Sequence, residues 1–235
     1  MLIIHAITKN MHEVNDAMNS IVSPLNAYFL ECGFLSALVS AVESSNADGS
    51  AGNVFDDPEK VRVLALAHNE LLVKLNSTVD LVPVRLGALH SDKASVLALV
   101  AAQESVFKSV LERIDGAVEI IVDLTAVEKI IMPAPDQATH SGRDYLRLRQ
   151  AQKSIQKLAR SNAGAFVSHI IDEIGGLARE HRADSNQRVS FLVSRNQIDQ
   201  FVGIISSLEN IALTNGVAIF ATGPWPTYNF AGAPS

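Results

Sequence analysis

The stretch VEIIVDL, residues 118–124, decides the fold class of this chain. Apolar side chains occupy every second position, and Glu119 and Asp123 stand between them. This period of two is typical of a β-strand with one buried face and one polar face. We therefore predict a strand here, with Glu119 and Asp123 on its polar face.

The sequence after this strand alternates between helical and extended patterns. Its segments, in order, are a helical region over 143–181 with a break near 161–164, a strand over 189–194, a helix beginning at Asn196 and a strand over 217–222. Helix-length connections between strands place those strands in one sheet with helices packed on it. This order predicts an α+β fold whose C-terminal domain is a modified ferredoxin-like (split βαβ) fold with a long helical insertion.

The sequence before VEIIVDL supplies a second set of elements. These are a short buried strand over 2–8, a helix after the start signal Asp57-Pro58, a short strand over 81–87 (LVPVRLG) and a helix capped by Ser91. The pair Asp115-Gly116 ends that last helix. We therefore predict two domains, residues 1–115 and residues 116–235.

Composition limits the partners and the compartment. The 235 residues are 48% apolar and 19% charged, with a net charge of −6. This acidity argues against nucleic acid as a partner, because phosphate binding needs surplus Lys and Arg. The single cysteine, Cys32, is typical of a reducing compartment. With no basic leader and no apolar stretch near the ~20 residues of a membrane span, we expect a soluble, cytoplasmic protein without a membrane partner.

The C-terminal stretch TGPWPTYNF, residues 222–230, concentrates proline and aromatic residues. Pro224 and Pro226 fix their own backbone φ near about −65° and extend the residues before them. Trp225, the only tryptophan, is therefore held in an extended segment. Such a segment loses little conformational entropy when it docks.

This tail, residues 223–235, supports two hypotheses. In the first, it lies in a groove of its own protein as an internal latch, with Trp225 mostly buried and Tyr228 or Phe230 beside it. In the second, it docks into a groove of another protein.

Residues 143–160 are rich in basic side chains. On a helical wheel four of them fall on one strip: Arg149, Lys153, Lys157 and Arg160. A solvated helix face explains such a strip. In an otherwise acidic protein, the same strip would steer an acidic partner.

The sequence carries no recognised catalytic or metal-binding pattern. Its seven histidines form no metal-ligand spacing, and it has neither a nucleophile elbow nor a phosphate-binding glycine loop. His68 lies on the apolar stripe of its predicted helix, which favours a core histidine with one hydrogen-bond partner. We therefore predict a protein that is not an enzyme and that binds no cofactor or metal.

Four motifs, in order along residues 81–230, resemble the gas vesicle protein F/L family. They are LVPVRLG, SGRDYLRLR, VSFLVSR and TGPWPTYNF. The chain departs from the family pattern at Leu86, where Phe is usual, at Thr227, where a second Pro is usual, and at Asn229, where Ser is usual.

The resemblance implies an accessory or minor structural protein required to build gas vesicles, the protein-walled buoyancy organelles. It implies two α+β domains, the second a modified ferredoxin-like fold, with the tail packed between them. The implied partners are the gas vesicle shell protein, which is hydrophobic, and other gas vesicle accessory proteins; the implied location is the cytoplasm and the gas vesicle. The alternative is a regulatory module that binds a small molecule, since fold alone does not separate these functions.

Two residues of the matching motifs join the tail as candidate site residues. Arg85, after the proline of LVPVRLG, would bind carboxylates or carbonyls of the other domain, or a partner protein. Tyr145, in SGRDYLRLR, is expected to anchor the helix start with a buried ring and a bonded hydroxyl. The complete set for an interdomain latch or a partner-binding site is Arg85, Tyr145, Pro224, Trp225, Pro226, Tyr228 and Phe230.

Overall fold

The computed structural model describes residues 1–9, 25–42, 54–127, 150, 164–185 and 187–232. The chain divides into two compact units, Met1–Glu119 together with Pro224–Ser235, and Ile120–Gly223. We predicted a division after residue 115, whereas the units divide between Glu119 and Ile120. The tail from Pro224 onward belongs to the first unit.

Five strands form the sheet of the first unit. β1 (Leu2–Lys9) lies between β3 (Leu35–Ala41) and β4 (Leu81–Pro83), while β2 (Tyr28–Cys32) pairs with β3 and β5 (Leu89–His90) pairs with β1. All of these pairs are antiparallel. β1 is buried along nearly its whole length, as a short continuous apolar run predicts. The strand predicted over 2–8 is confirmed, whereas the one predicted over 81–87 is limited to its first three residues.

β1 carries a β-bulge at His5. Ile4 pairs with Val39, and Ala6 pairs with Leu38, so two steps along β1 match one step along β3. His5 is the extra residue. Bulges re-aim the side chains next to them, and this one contributes His5 to the site described below.

The first described α-helix of this unit is α1 (Pro58–Asn76), which follows a 3-10 turn over Val54–Asp56. It starts as predicted: the Asp57 carboxylate accepts hydrogen bonds from the backbone N–H groups of Glu59 and Lys60 at 3.0 and 3.3 Å. Its buried face comprises Leu64, Ala67, His68, Leu71, Leu72, Leu75 and Asn76. Five of these seven are apolar, as the amphipathic pattern predicts.

The single helix predicted after Ser91 is two helices. α2 (Lys93–Ala102) and α3 (Glu104–Ile114) meet at a bend of 71°. The cap is Asp92 rather than Ser91, because the Asp92 carboxylate accepts the Ser95 N–H at 2.8 Å. Of the helices that the structure describes, none alone has the length and apolar composition of a bilayer span; α2 and α3 reach them only when joined across their bend.

The second sheet has the strand order β7-β8-β6-β9. Along the chain its elements are β6 (Ala117–Ala126), α4 (residues 164–175), β7 (Glu180–Ser185), β8 (Arg188–Ser194), α5 (Ile198–Thr214) and β9 (Val217–Trp225). The strands predicted over 118–124 and 189–194 are confirmed as β6 and β8. The protein thus combines helices with two antiparallel sheets, which confirms the mixed helix-and-sheet class.

Three boundaries in this part of the chain differ from the prediction. The helical region predicted to residue 181 ends at 175, and β7 follows it. The β7 sequence EHRADS is polar and largely exposed, so it lacks the apolar alternation that reveals a strand. α5 follows a short 3-10 turn and has Gln197, not Asn196, as its N-cap residue. β9 continues three residues past 222, to Trp225.

The interior of the second unit contains two packed phenylalanines. The ring centroids of Phe191 on β8 and Phe201 on α5 are 5.4 Å apart and tilted by 56°, a favourable aromatic geometry. Outside this interior, Asp123 on β6 forms a two-pronged ion pair with Arg188 on β8, with distances of 2.7 and 2.9 Å. Further buried apolar residues of this unit include Ile170, Ile174, Val193 and Ile205.

Candidate functional site

The last residues of β9 lead directly into the tail. Gly223 has a φ of +132°, a conformation that residues with a side chain rarely adopt. Pro224 follows it and, like residues 220–223, is exposed. The chain passes from the second unit to the first at this Gly-Pro step.

Phe230 is the buried anchor of the tail. Its side chain is 0% exposed, and its N–H donates to the Thr227 carbonyl at 3.0 Å, which closes a turn. Trp225 and Tyr228 are half-buried. Trp225 ends β9 and keeps part of its side chain exposed, whereas the next two residues, Pro226 and Thr227, are buried.

Glu119 is a buried carboxylate that binds the tail. We predicted it on the polar face of β6, but its side chain is buried. One carboxylate oxygen accepts the backbone N–H of Asn229 at 3.0 Å, and the other accepts the Asn229 amide nitrogen Nδ2 at 2.7 Å. Hydrogen bonds to a carboxylate are stronger than neutral ones. In the sequence, Asn229 is distinguished only by standing where the family usually has Ser. That difference was the only sequence signal for its hydrogen bonds to Glu119.

Two other side chains of the first unit bind backbone carbonyls of the tail. Asn76, at the end of α1, donates from Nδ2 to the Trp225 carbonyl at 3.2 Å. Arg113, in the last turn of α3, donates from a terminal nitrogen to the carbonyls of Phe230 and Gly232, the latter at 2.8 Å. A guanidinium carries several N–H donors in a fixed plane. Together these bonds fix the backbone path from 225 to 232.

A row of four hydrogen-bonded side chains connects the tail to the first sheet. The Tyr228 hydroxyl lies 2.8 Å from Nε2 of His68. Nδ1 of His68 lies 2.9 Å from Nδ1 of His5, and Nε2 of His5 lies 2.8 Å from the Ser40 hydroxyl. We call Ser40, His5, His68 and Tyr228 the histidine row. The sequence favoured one partner for His68, and the structure gives it two.

Burial keeps the histidine row uncharged at neutral pH. It lowers the pKa of His68 to about 4. Burial, together with the neighbouring His68, also lowers the pKa of His5 to about 4. Burial raises the pKa of Tyr228 to about 12. In each case the charged form is the one that loses hydration. Between the two Nδ1 atoms a single hydrogen is therefore shared, with one ring donating and the other accepting.

The Tyr228 ring also covers apolar surface. It packs against a cluster contributed by β1, β3, α1 and β4, whose members are Ala6, Leu38, Leu71, Leu72, Leu75 and Leu81. The ring supplies apolar contact while the hydroxyl supplies a hydrogen bond, a combination that tyrosine suits. With Phe230, it makes the tail a part of the first unit's core.

A comparison with known families places this architecture. The family model for gas vesicle synthesis protein GvpL/GvpF matches residues 2–232, nearly the whole chain. The chain belongs to this family. Membership implies a role in gas vesicle assembly.

Individual members of the family are similar over most of their length. Gas vesicle protein L of a Streptomyces species is 28% identical over 222 residues, which cover 86% of this chain and 82% of that protein. Gas vesicle protein F2 of Halobacterium salinarum is 24% identical over 234 residues, which cover 96% and 91%.

Two crystal structures share the fold. Gas vesicle protein GvpF from an Anabaena species matches with a TM-score of 0.69 and 16% identity, covering 100% of this chain and 97% of that one. GvpF from Microcystis aeruginosa matches with a TM-score of 0.64 and 12% identity, covering 99% of each chain. The mixed fold of this GvpL/GvpF protein is thus that of GvpF.

For the other predicted site residues, the structure describes no hydrogen bond or ion pair with the tail. In this GvpL/GvpF protein Arg85 is exposed and forms no hydrogen bond or ion pair with any residue that the structure describes. Tyr145 and the basic strip of Arg149, Lys153, Lys157 and Arg160 lie outside the described residues. Within the described ranges, no three His, Cys, Asp or Glu side chains are grouped so that they could hold a metal ion.

Proposed function

We propose that this protein is a non-enzymatic accessory protein required for gas vesicle assembly, and that it binds the hydrophobic shell subunit and other assembly proteins. The family match over residues 2–232 carries the proposal, because it includes both compact units and the tail. The proposed location is the cytoplasm and the gas vesicle.

The physical task is to cover surfaces that would otherwise self-associate. A subunit that is stable only in a polymer exposes strand edges and apolar surface before it is incorporated, and such surfaces aggregate. A partner with a free strand edge of its own can pair with them by adding a strand.

We propose that β9 supplies this edge. It is one of the two outer strands of the second sheet as far as the structure describes it, the other being β7, and residues 220–224 are exposed. Phe220 is 61% exposed, which places an aromatic ring beside the free edge. Phe34, at the turn between β2 and β3, is more exposed, at 76%, but the Lys108 ammonium lies 4.5 Å from its ring centroid. That cation gives the Phe34 ring a polar neighbour.

Three residue-level proposals complete this view. The tail acts as an internal latch rather than as a peptide for another protein, which the burial of Phe230 and the two bonds to Glu119 support. Arg85, exposed at the surface, contacts a partner. The basic strip steers an acidic partner.

The second domain is a modified ferredoxin-like fold, supported by the element order β6, α4, β7, β8, α5, β9 and by the sheet order β7-β8-β6-β9.

The test combines a gene deletion with rescue. We expect a clean deletion to abolish mature gas vesicles and the wild-type gene to restore them. Phe220→Ser should rescue poorly and should co-purify less shell protein, whereas Phe34→Ser should behave as wild type. Normal vesicles in the deletion strain, with no second family member to compensate, would contradict the proposed function. Equal co-purification by the two variants would contradict only the assignment to β9.

A further inference from the structure

The histidine row joins three separate parts of the first unit. Ser40 and His5 lie on the sheet, His68 on α1 and Tyr228 on the tail. The β-bulge gives β1 one extra residue at this point, and that residue is His5. A bulge disrupts local strand pairing, so its placement at a buried polar residue, directly after three apolar ones, indicates a specific use.

The geometry of the histidine row disfavours protonation of both imidazole rings at once. With the two Nδ1 atoms 2.9 Å apart, only one hydrogen fits between them. One added proton places a charge among buried groups, and a second would set two N–H groups against each other. Titration of one ring therefore opposes titration of the other.

No charged side chain of the described residues is hydrogen-bonded to either imidazole. On α2 and α3, which also pack on this sheet, Lys93 and Glu112 are exposed, Lys108 is 2.6 Å from Glu104, and Arg113 donates to carbonyls of the tail. β3 and β4 contain no charged side chain, and the Lys9 ammonium of β1 is 3.0 Å from the Asp115 carboxylate. His90 of β5 is half-buried and pairs with Leu2 through the backbone. On α1 and β2 the charged residues are exposed: Glu59, Lys60, Arg62, Glu70, Lys74 and Glu31. The tail contributes only the Tyr228 hydroxyl.

We propose that the histidine row is a proton-sensitive clamp: it holds the tail on the first unit while both imidazoles are neutral, and it releases the tail when they take up protons. This inference does not depend on the shell subunit or on any other partner. It assigns a conformational role to a buried polar row that lies inside an apolar core.

Exposure increases along the row and gives the direction of release. Ser40 and His5 are fully buried, His68 is buried, and Tyr228 is half-buried. A protonated His68 regains hydration by moving toward the open end, where the Tyr228 ring lies. Displacing that ring uncovers the apolar cluster of α1 and the sheet, and it removes one of the groups that hold the tail beside Phe230. The low pKa values of the two histidines place this change below neutral pH.

Fluorescence of the only tryptophan reports on the clamp, because Trp225 lies in the tail. In the full-length protein we expect acrylamide quenching of Trp225 fluorescence to rise reversibly as the pH falls from 6.5 toward 4. The helical signal in far-UV circular dichroism should be retained over the same range. The double variant His5→Gln and His68→Gln keeps amide donors and acceptors at these two positions but has no imidazole there to take up a proton. Its quenching should stay flat. His169→Gln, at an exposed histidine of the second unit, is the matched control and should titrate as wild type.

Quenching of the wild type that stays constant to about pH 4 would overturn the clamp. So would an unchanged transition in the double variant. If the double variant does not fold, NMR titration of the imidazole signals in the wild type decides. Midpoints of His5 and His68 that coincide with the quenching transition support the clamp, and midpoints well separated from it contradict the clamp.

Discussion

The two sheets of this protein share a strand order but differ inside. In each sheet, the strand that comes first along the chain lies between the third and the fourth, in the orders β2-β3-β1-β4 and β7-β8-β6-β9. The first unit buries a row of hydrogen-bonded polar groups that ends on the tail. The second unit packs Phe191 on Phe201. One strand order thus supports two kinds of interior, and in the first unit the interior includes a segment that lies 160 positions after His68 in the chain.

The largest expected effect is the loss of the tail's anchor. Phe230→Ala removes a fully buried ring, and such truncations cost about 3–5 kcal/mol of unfolding free energy. We expect that loss in a chemical denaturation curve, with the first unit unfolding at lower denaturant. Phe220→Ala is the matched control, because Phe220 is mostly exposed and surface substitutions usually stay within about 0.5 kcal/mol. A similar loss in both variants would mean that the tail is not a specific part of the core.

The second largest effect is expected from acid, which should lower the stability of the first unit through His5 and His68. The pKa of His5 and of His68 is about 4 in the folded protein and about 6.5 in the unfolded chain. The unfolded chain therefore binds protons first, so stability is intact above pH 6.5 and falls as the pH drops toward 4. At about 1.4 kcal/mol per pKa unit, the difference between about 6.5 and about 4 amounts to about 3 kcal/mol for one imidazole by pH 4.

Thermal melting between neutral and acid pH measures this effect. The His5→Gln variant should lose less stability over the same range than the wild type loses. An identical pH dependence in the two proteins would assign the acid sensitivity to other groups.

A smaller loss is expected at the bond between the tail and β6. Asn229→Ala removes the amide donor to Glu119 but keeps the backbone donor. A hydrogen bond to a charged group contributes about 1.5–3 kcal/mol, and the melting temperature should fall accordingly. Asn196→Ala, at an exposed asparagine of the second unit, should change it little. Equal shifts in the two variants would remove the role given to Asn229.

The smallest expected effect has the opposite sign. The Thr227 hydroxyl is buried, and its oxygen has no hydrogen-bond partner among the residues that the structure describes. Thr227→Val keeps the shape and removes the unsatisfied group, whose burial costs about 1–3 kcal/mol. We expect a modest rise in melting temperature, and Thr125→Val, at an exposed threonine of β6, should give none. A lower melting temperature for Thr227→Val would show that the hydroxyl binds something in solution.

Much of the fold follows from local sequence pattern. The alternation in VEIIVDL predicted β6, and the Asp57-Pro58 signal predicted the start of α1, because both depend on neighbours along the chain. β7 was missed, since a polar edge strand is specified by pairing with β8 rather than by its own pattern. The break between α2 and α3 was missed as well, because an apolar stripe continues across it.

The site was only partly accessible from sequence. The tail was identified from its prolines and aromatic rings, but the sequence did not show that Phe230 is the aromatic residue of the tail that is fully buried. Glu119 looked like a surface residue because alternation cannot show that a segment 110 residues later covers that face. The histidine row depends on a bulge and on contacts between residues far apart in sequence, such as His68 and Tyr228, which are separated by 160 positions. No spacing rule connects such residues.

Hydrogen–deuterium exchange on the Phe230→Ala variant tests most directly the central claim that the tail completes the core of the first unit. We expect protection to fall in β1 (Leu2–Lys9) and α1 (Pro58–Asn76), relative to the wild type, and to stay unchanged in β8 and α5. Protection that is unchanged everywhere, or that falls equally in β8 and α5, would contradict the claim.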